Sequence, residues 1–323
     1  MDIYQPTIDY LFTFSVFDSW PELGSVLRRA ASERPRDWQL PTIACEALGA
    51  SVEKAIPASA ALACAQISII LLDDVLDEDP RGEYHRIGRG RAGNLALAYQ
   101  AAGVDALLGS QTGPHIKLEA LNSLNLMMLK TAYGQDLDIQ NPAHESSYWR
   151  VVENKSAPFF GCALQLGALF GEASTHAAGE FERLGKLYGE MIQIHDDLND
   201  TMAVPANADW LQGRKPLPIL FAQTVDHPDR ARFEQLYQDI SAKESLPEAQ
   251  DILIRCGAVS YCIDQLLRRY RAAQELLNKM PLSNKGTVDS LLKAVIAPVR
   301  KLFETLGVSP EIPTRVARPE NQV

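Results

Sequence analysis

The sequence predicts an all-α fold, a single-domain helical bundle, on three observations. Apolar residues recur at steps of three and four over long segments. Prolines bracket the first of these, with Pro57 near its start and Pro80 at its end. Val, Ile and Thr never alternate with polar residues long enough to make a strand. No stretch rich in Gly, Ser and Pro divides the chain. Residues 1–310 are therefore expected to form one helical domain, and 311–323 a loose C-terminal tail.

The elements follow in order. IPASAALACAQISIILLDDVLDED, residues 56–79, is a long apolar helix with an acidic end. GRAGNLALAYQAAGVDALLG, 90–109, is a helix of small residues. HIKLEALNSLNLMMLKTAYGQDLDI, 115–139, is a third. SYWRVVENKSAPFFGCALQLGALFG, 147–171, reads as one helix kinked at Pro158. GEFERLGKLYGEMIQIHDDLNDTM, 179–202, is strongly amphipathic, and SYCIDQLLRRYRAAQELLNKM, 260–280, follows it.

The bulk composition narrows the function. A chain of 323 residues that is 46% hydrophobic can bury a sizeable core. A net charge of −10 argues against nucleic acid as a partner, because phosphate backbones require a basic surface. Metal ions can still reverse the sign locally and admit a phosphorylated substrate. The five cysteines match no zinc spacing and read as buried thiols of a reducing compartment. The start, MDIYQPTIDYLFTF, lacks the basic region and cleavage site of a signal peptide. No apolar run reaches the roughly 18 residues of a membrane span. A cytoplasmic protein without an integral membrane segment is expected.

Two acidic clusters carry the chemistry. LLDDVLDEDP holds Asp73, Asp74 and Asp77, and IQIHDDLNDTM holds Asp196, Asp197 and Asp200. Both have the form DDxxD, both follow an apolar helical run, and both precede a proline. At 3.6 residues per turn Asp73 shares a face with Asp77, and Asp196 with Asp200. Carboxylates at a helix C-terminus oppose the helix dipole and repel one another, a cost that bound cations remove. One such cluster can be a plain solvated helix end. Two of the same form at the same helical position point to metal. Oxygen-only ligands suit Mg²⁺, which usually shares its shell with substrate phosphates.

Two DDxxD helices in an all-α chain resemble the trans-isoprenyl diphosphate synthase, or polyprenyl synthetase, family. Gly189, Gln193, Asp196 and Asp197 match its GxxxQxxDD element. Gln135 and Asp138 lie in GQDLDI, similar to its GQxLDL. Lys155 stands in the lysine place of its KTA element. Arg214, followed by Lys215, stands in the lysine place of its DLxxGKxTLPxLxA stretch. The resemblance implies the isoprenoid synthase fold and a homodimer. It also implies three Mg²⁺ ions held by the six aspartates around the diphosphate of an allylic prenyl substrate. Arg81, Lys155, Gln193, Arg214 and Lys215 are then expected to contact diphosphate oxygens. Cys64, Ala65, Ser68, Gln135, Phe159 and Tyr188 are expected to line the prenyl pocket. The small side chains among them suggest a substrate of twenty carbons or more.

The chain also departs from the family. Its counterpart of GKRxRP, the signature for the second substrate isopentenyl diphosphate, is RDWQLP, with Asp37, Trp38 and Leu40 in the basic places. One arginine, Arg81, replaces the usual pair after the first acidic motif. Charge-assisted bonds of roughly 1.5–3 kcal/mol each are lost with those cations. The expectation is an enzyme that ionises an allylic diphosphate and quenches the cation by cyclisation, as class I terpene synthases do. The alternatives are chain elongation with isopentenyl diphosphate, prenyl transfer to a non-isoprenoid acceptor, and a non-catalytic partner subunit.

Overall fold

Prolines in the first turn start six of the helices, where the missing N–H is no loss: Pro21, Pro41, Pro57, Pro114, Pro158 and Pro218. The structure, a computed structural model, describes residues 2–242 and 244–305. Among these there is no strand. The expected tail at 311–323 lies outside the described residues.

The centre of the bundle is built from two pairings. The Ile56–Leu76 helix runs along Arg89–Leu108, and Ala157–Phe170 runs along Thr175–Met202. Pro114–Ile139, Leu40–Ala47 and Ala258–Lys279 close around them. One large apolar cluster fills this centre, with Trp38, Tyr99, Phe170 and Phe181 fully buried in it. A smaller cluster around Trp210, Ile219, Phe233 and Ile252 packs beyond the end of the Thr175–Met202 helix. The Trp210 indole N–H anchors it by donating to the Thr201 carbonyl at 2.9 Å.

The Ala157–Phe170 and Thr175–Met202 helices meet at Gly185. A Cβ there would lie 2.2 Å from the Phe160 carbonyl oxygen. Only a glycine lets the two backbones come this close.

Two expectations need correction. The segment expected as one kinked helix over 147–171 is two helices, Glu145–Lys155 and Ala157–Phe170, separated at Ser156. Pro158 has no N–H to donate to the Asn154 carbonyl, and its ring disfavours helical geometry just before it. Contrary to the sequence reading, the stretch Val52–Leu76 is long and apolar enough to cross a membrane. However, 72% of its apolar window is buried inside the fold. It is a core helix.

Replacing Gly185 by alanine should force these helices apart. A loss of about 2 kcal/mol or more is expected from overpacking, read as a lowered denaturation midpoint in urea.

Candidate active site

Two helices deliver carboxylates to one cavity. The Ile56–Leu76 helix carries Asp73 and Asp74 in its last turn and ends with Asp77 as its C-cap. The Asp77 N–H donates to the Asp73 carbonyl at 2.8 Å. The Thr175–Met202 helix brings Gln193, Asp196, Asp197 and Asp200 near its end. Asp73 and Asp196 both line a cavity of about 560 Å³. Most of its remaining wall is apolar, with Ile69, Ile70, Leu72, Phe159, Phe160 and Ile192 prominent.

The first acidic end is neutralised by protein cations. Lys155 Nζ lies 2.6 Å from Asp138 and 3.2 Å from Asp73. Arg214 grips Asp77 with both terminal nitrogens, at 2.7 and 3.0 Å. Gln135 adds a bond to Asp77 at 3.3 Å. Burial raises the Asp73 pKa, and repulsion from Asp77 adds to this against the pull of Lys155. Asp74 is pushed up to about 6 by burial, with Asp79 and Asp73 adding repulsion. Burial alone would lower the Lys155 pKa, but Asp138 and Asp73 outweigh it and the pKa is raised. The Lys155 position depends on Gly134, where a Cβ would lie 2.2 Å from the Lys155 nitrogen.

Asp197 is held differently. The residue is 6% exposed. It accepts from the Tyr148 hydroxyl at 2.7 Å, the Leu217 N–H at 2.8 Å and Gln193 at 2.8 Å. Burial pushes its pKa up to about 6 in spite of these donors. The expectation grouped Asp197 with Asp196 and Asp200 as a metal ligand. In the structure its oxygens are taken by the protein, while Asp196, on the cavity wall, and Asp200 are exposed.

The remaining expected residues divide. Arg81 is exposed and paired with Asp79. It feels the charges of both Asp74 and Asp200, so it stands between the two acidic ends. Lys155 and Gln193 line the main cavity and also a side cavity of about 130 Å³, which holds Arg214 and Lys215. Ser68, Gln135 and Phe159 line the main cavity as expected. Cys64, Ala65 and Tyr188 do not. Cys64 is fully buried against the Arg89–Leu108 helix, 3.5 Å from where a Gly103 Cβ would lie. Ala65 is buried in the core, and Tyr188 packs edge-on against Phe160 with centroids 5.4 Å apart. Cys64 and Ala65 serve helix packing, so of the three small residues only Ser68 bears on the pocket.

The donors suit a hard divalent cation. They are carboxylate oxygens, and at Asp73, Asp74 and Asp200 burial and neighbouring acids disfavour the ionised form, which bound positive charge would offset. Ser68 Oγ and Gln135 Oε1 are buried on the cavity wall without a partner, which also points to a ligand. As they stand, no three His, Cys, Asp or Glu side chains among the described residues are grouped closely enough to hold an ion.

Sequence reasoning missed Tyr148, Asp209, which lines the side cavity 4.0 Å from Arg214, and Gln66, which lines the main cavity. Tyr148 had a signal: it stands seven residues before Lys155, two turns away on the same face.

A family model described as Polyprenyl synthetase matches residues 38–253, which span both acidic ends. The chain belongs to the polyprenyl synthetase family. It is 25% identical over 236 residues to the geranylgeranyl diphosphate synthase of Methanosarcina mazei, covering 68% of this chain and 71% of that one. The geranylgeranyl pyrophosphate synthetase structure from Pyrococcus horikoshii superposes with a TM-score of 0.77 at 21% identity, over 91% and 94% of the two chains. A polyprenyl synthase from Caulobacter crescentus, complexed with calcium and isoprenyl diphosphate, gives 0.73 at 18% identity, over 90% and 97%. These relatives are named as synthases of prenyl chains. Cyclisation, the reaction expected first from the sequence, gains no support from them, whereas chain elongation does.

Replacing Tyr148 by phenylalanine removes one donor from a buried carboxylate. The expected loss is about 1.5–3 kcal/mol of stability, measured by guanidinium denaturation.

Proposed function

We propose that this polyprenyl synthetase is a metal-dependent, chain-elongating prenyltransferase. It breaks the C–O bond of an allylic prenyl diphosphate, releases pyrophosphate, and joins the allylic carbon to the alkene carbon of isopentenyl diphosphate, which then loses a proton. The observation that carries this reading is the meeting of two acidic helix ends at the mouth of one apolar cavity. The family and the names of its relatives support elongation over cyclisation. The same names favour a product of about twenty carbons.

Asp73, Asp74 and Asp77 on one side, and Asp196 and Asp200 on the other, would hold the divalent ions, with Mg²⁺ the best fit. Bound there, the ions supply positive charge to the departing pyrophosphate. Lys155 and Arg214, bonded to Asp73, Asp138 and Asp77 in this structure, would donate to diphosphate oxygens. Lys215 and Arg81 add charge at the side cavity and the mouth. The apolar wall excludes water from the allylic cation, and the faces of Phe159 and Phe160 favour its charge.

A homodimer is part of this proposal. Leu118, Leu126, Leu129 and Tyr133 are exposed along one face of the Pro114–Ile139 helix. Leu97, Val104 and Leu108 are exposed along one face of the neighbouring Arg89–Leu108 helix. A second copy can cover such a patch by two-fold symmetry.

Incubation with Mg²⁺, farnesyl diphosphate and isopentenyl diphosphate should yield a longer prenyl diphosphate, and a chelator should abolish it. A hydrocarbon or alcohol formed from the allylic diphosphate alone would instead restore cyclisation. Asp73→Asn and Asp196→Asn should each lower kcat by about a hundredfold or more. Sedimentation should find a dimer, and Leu126→Glu with Leu129→Glu should shift it to monomer.

A further inference from the structure

The far end of the main cavity is closed by one tight meeting of three helices. A Cβ on Gly103 would lie 3.5 Å from the Cys64 Cβ and 3.7 Å from the Leu124 Cδ2. None of these three residues lines the cavity. From each of them the helix runs toward the acidic ends. Ser68 is four residues on from Cys64, in the direction of Asp73. Met128 is four on from Leu124, in the direction of Gln135 and its bond to Asp77. Gln100 is three back from Gly103, in the direction of Arg89, which pairs with Glu78 at 2.7 Å. At 1.5 Å per residue these are rises of about 4.5–6 Å. Ser68, Gln100 and Met128 all line the cavity, so they stand together at its floor.

Two of these three are polar and unpaired. Ser68 is fully buried, and its Oγ has no partner. The Gln100 amide makes no hydrogen bond among the described residues. Other polar groups along the wall are engaged. Gln66 accepts from the Trp38 indole N–H at 2.7 Å and donates to Asp37 at 2.8 Å. Ser156 donates to Gln193 at 2.5 Å, and the Thr131 hydroxyl reaches the Met127 sulfur at 3.7 Å. Gln135 has a free oxygen, but its nitrogen ties it to Asp77 at the acidic end.

A buried polar group without a partner is costly, and a plain hydrocarbon end seated on this floor would leave both groups so. An oxygen seated there would serve both. The Ser68 hydroxyl can donate or accept, and the Gln100 amide offers N–H donors and a carbonyl acceptor. We propose that Ser68 and Gln100 form an oxygen-binding subsite at the cavity floor, which takes a hydroxyl at the far end of the substrate's isoprenoid chain. The diphosphate and the hydroxyl then mark the two ends of the chain, one at the aspartates and one at the floor. This rests on the prenyl diphosphate reading above.

The test is calorimetric, so it needs no turnover. Thiolo analogues of geranyl, farnesyl and geranylgeranyl diphosphate, which do not ionise, are titrated into full-length protein saturated with Mg²⁺. Each is used bare and with a hydroxyl on its terminal methyl. At the length that reaches the floor, the hydroxylated form should bind about fivefold or more tightly than the bare one. In the double variant Ser68→Ala with Gln100→Leu the order should reverse, the bare form gaining affinity and the hydroxylated form losing it. A general structural defect would weaken both alike. Equal or weaker binding of the hydroxylated form at every length, as when only a water occupies the floor, overturns the proposal. So does a preference that survives in the double variant. Failure of every bare analogue to bind is a separate result, which sinks the prenyl diphosphate reading and this inference with it.

Discussion

The structure turns on one electrostatic constraint: carboxylates crowded at two helix C-termini and drawn partly out of water. The helix dipole, their mutual repulsion and burial all oppose their ionised forms. At the first end, Lys155 and Arg214 meet this opposition. Lys155 can reach its place because Gly134 lets the chain break at Ser156 lie against the Pro114–Ile139 helix. Asp138 is one turn beyond Gly134 on the same face, so the close approach also supplies the ammonium's second partner. The broken helix, the glycine and the lysine are thus one device.

The second end is stabilised by another means. Hydrogen-bond donors, not cations, satisfy Asp197, and they come from three elements: Tyr148, Gln193 and the Leu217 backbone. That bond set ties the end of the Thr175–Met202 helix to its neighbours. Asp196 and Asp200 stay exposed. One carboxylate of the DDxxD pattern is used to fix the helix, and the other two are left accessible. Spacing puts Asp196 and Asp200 on one face and Asp197 off it, but it does not show that the protein supplies donors to Asp197.

The helices were legible because burial imposes a 3.6-residue period that composition preserves. The two acidic ends were legible because charge at a helix C-terminus contradicts the dipole. The break at Ser156 was misplaced because a proline marks a disturbance without saying whether the helix bends or ends. The pocket wall was half wrong for a related reason. Ala61, Cys64 and Ala65 are small at helical spacing, and small residues suit an open cavity and a close helix neighbour equally well. Gly103 on the Arg89–Leu108 helix decides for the neighbour, with its absent Cβ 3.2 Å from the Ala61 carbonyl oxygen. Gln66 and Asp37 were invisible as a pair because their link is a tertiary hydrogen bond between distant segments.

The Ile56–Leu76 helix explains why core and cavity are hard to separate from a sequence. It is apolar around nearly its whole circumference. One side is sealed against Arg89–Leu108, while Ile70, Leu72 and Leu76 are 49%, 40% and 51% exposed. All three line the cavity. Apolar side chains facing an enclosed space gain by covering it, at about 25 cal/mol for each Å² taken from water. Under the proposed function, an isoprenoid tail is what covers them. Its affinity then rises with each added apolar carbon until the wall ends. The aspartates meanwhile see the same diphosphate whatever the length of the tail. Under that reading, length selection and ionisation fall to adjoining stretches of one helix, Ile69 to Leu72 on the wall and Asp73 to Asp77 at its end.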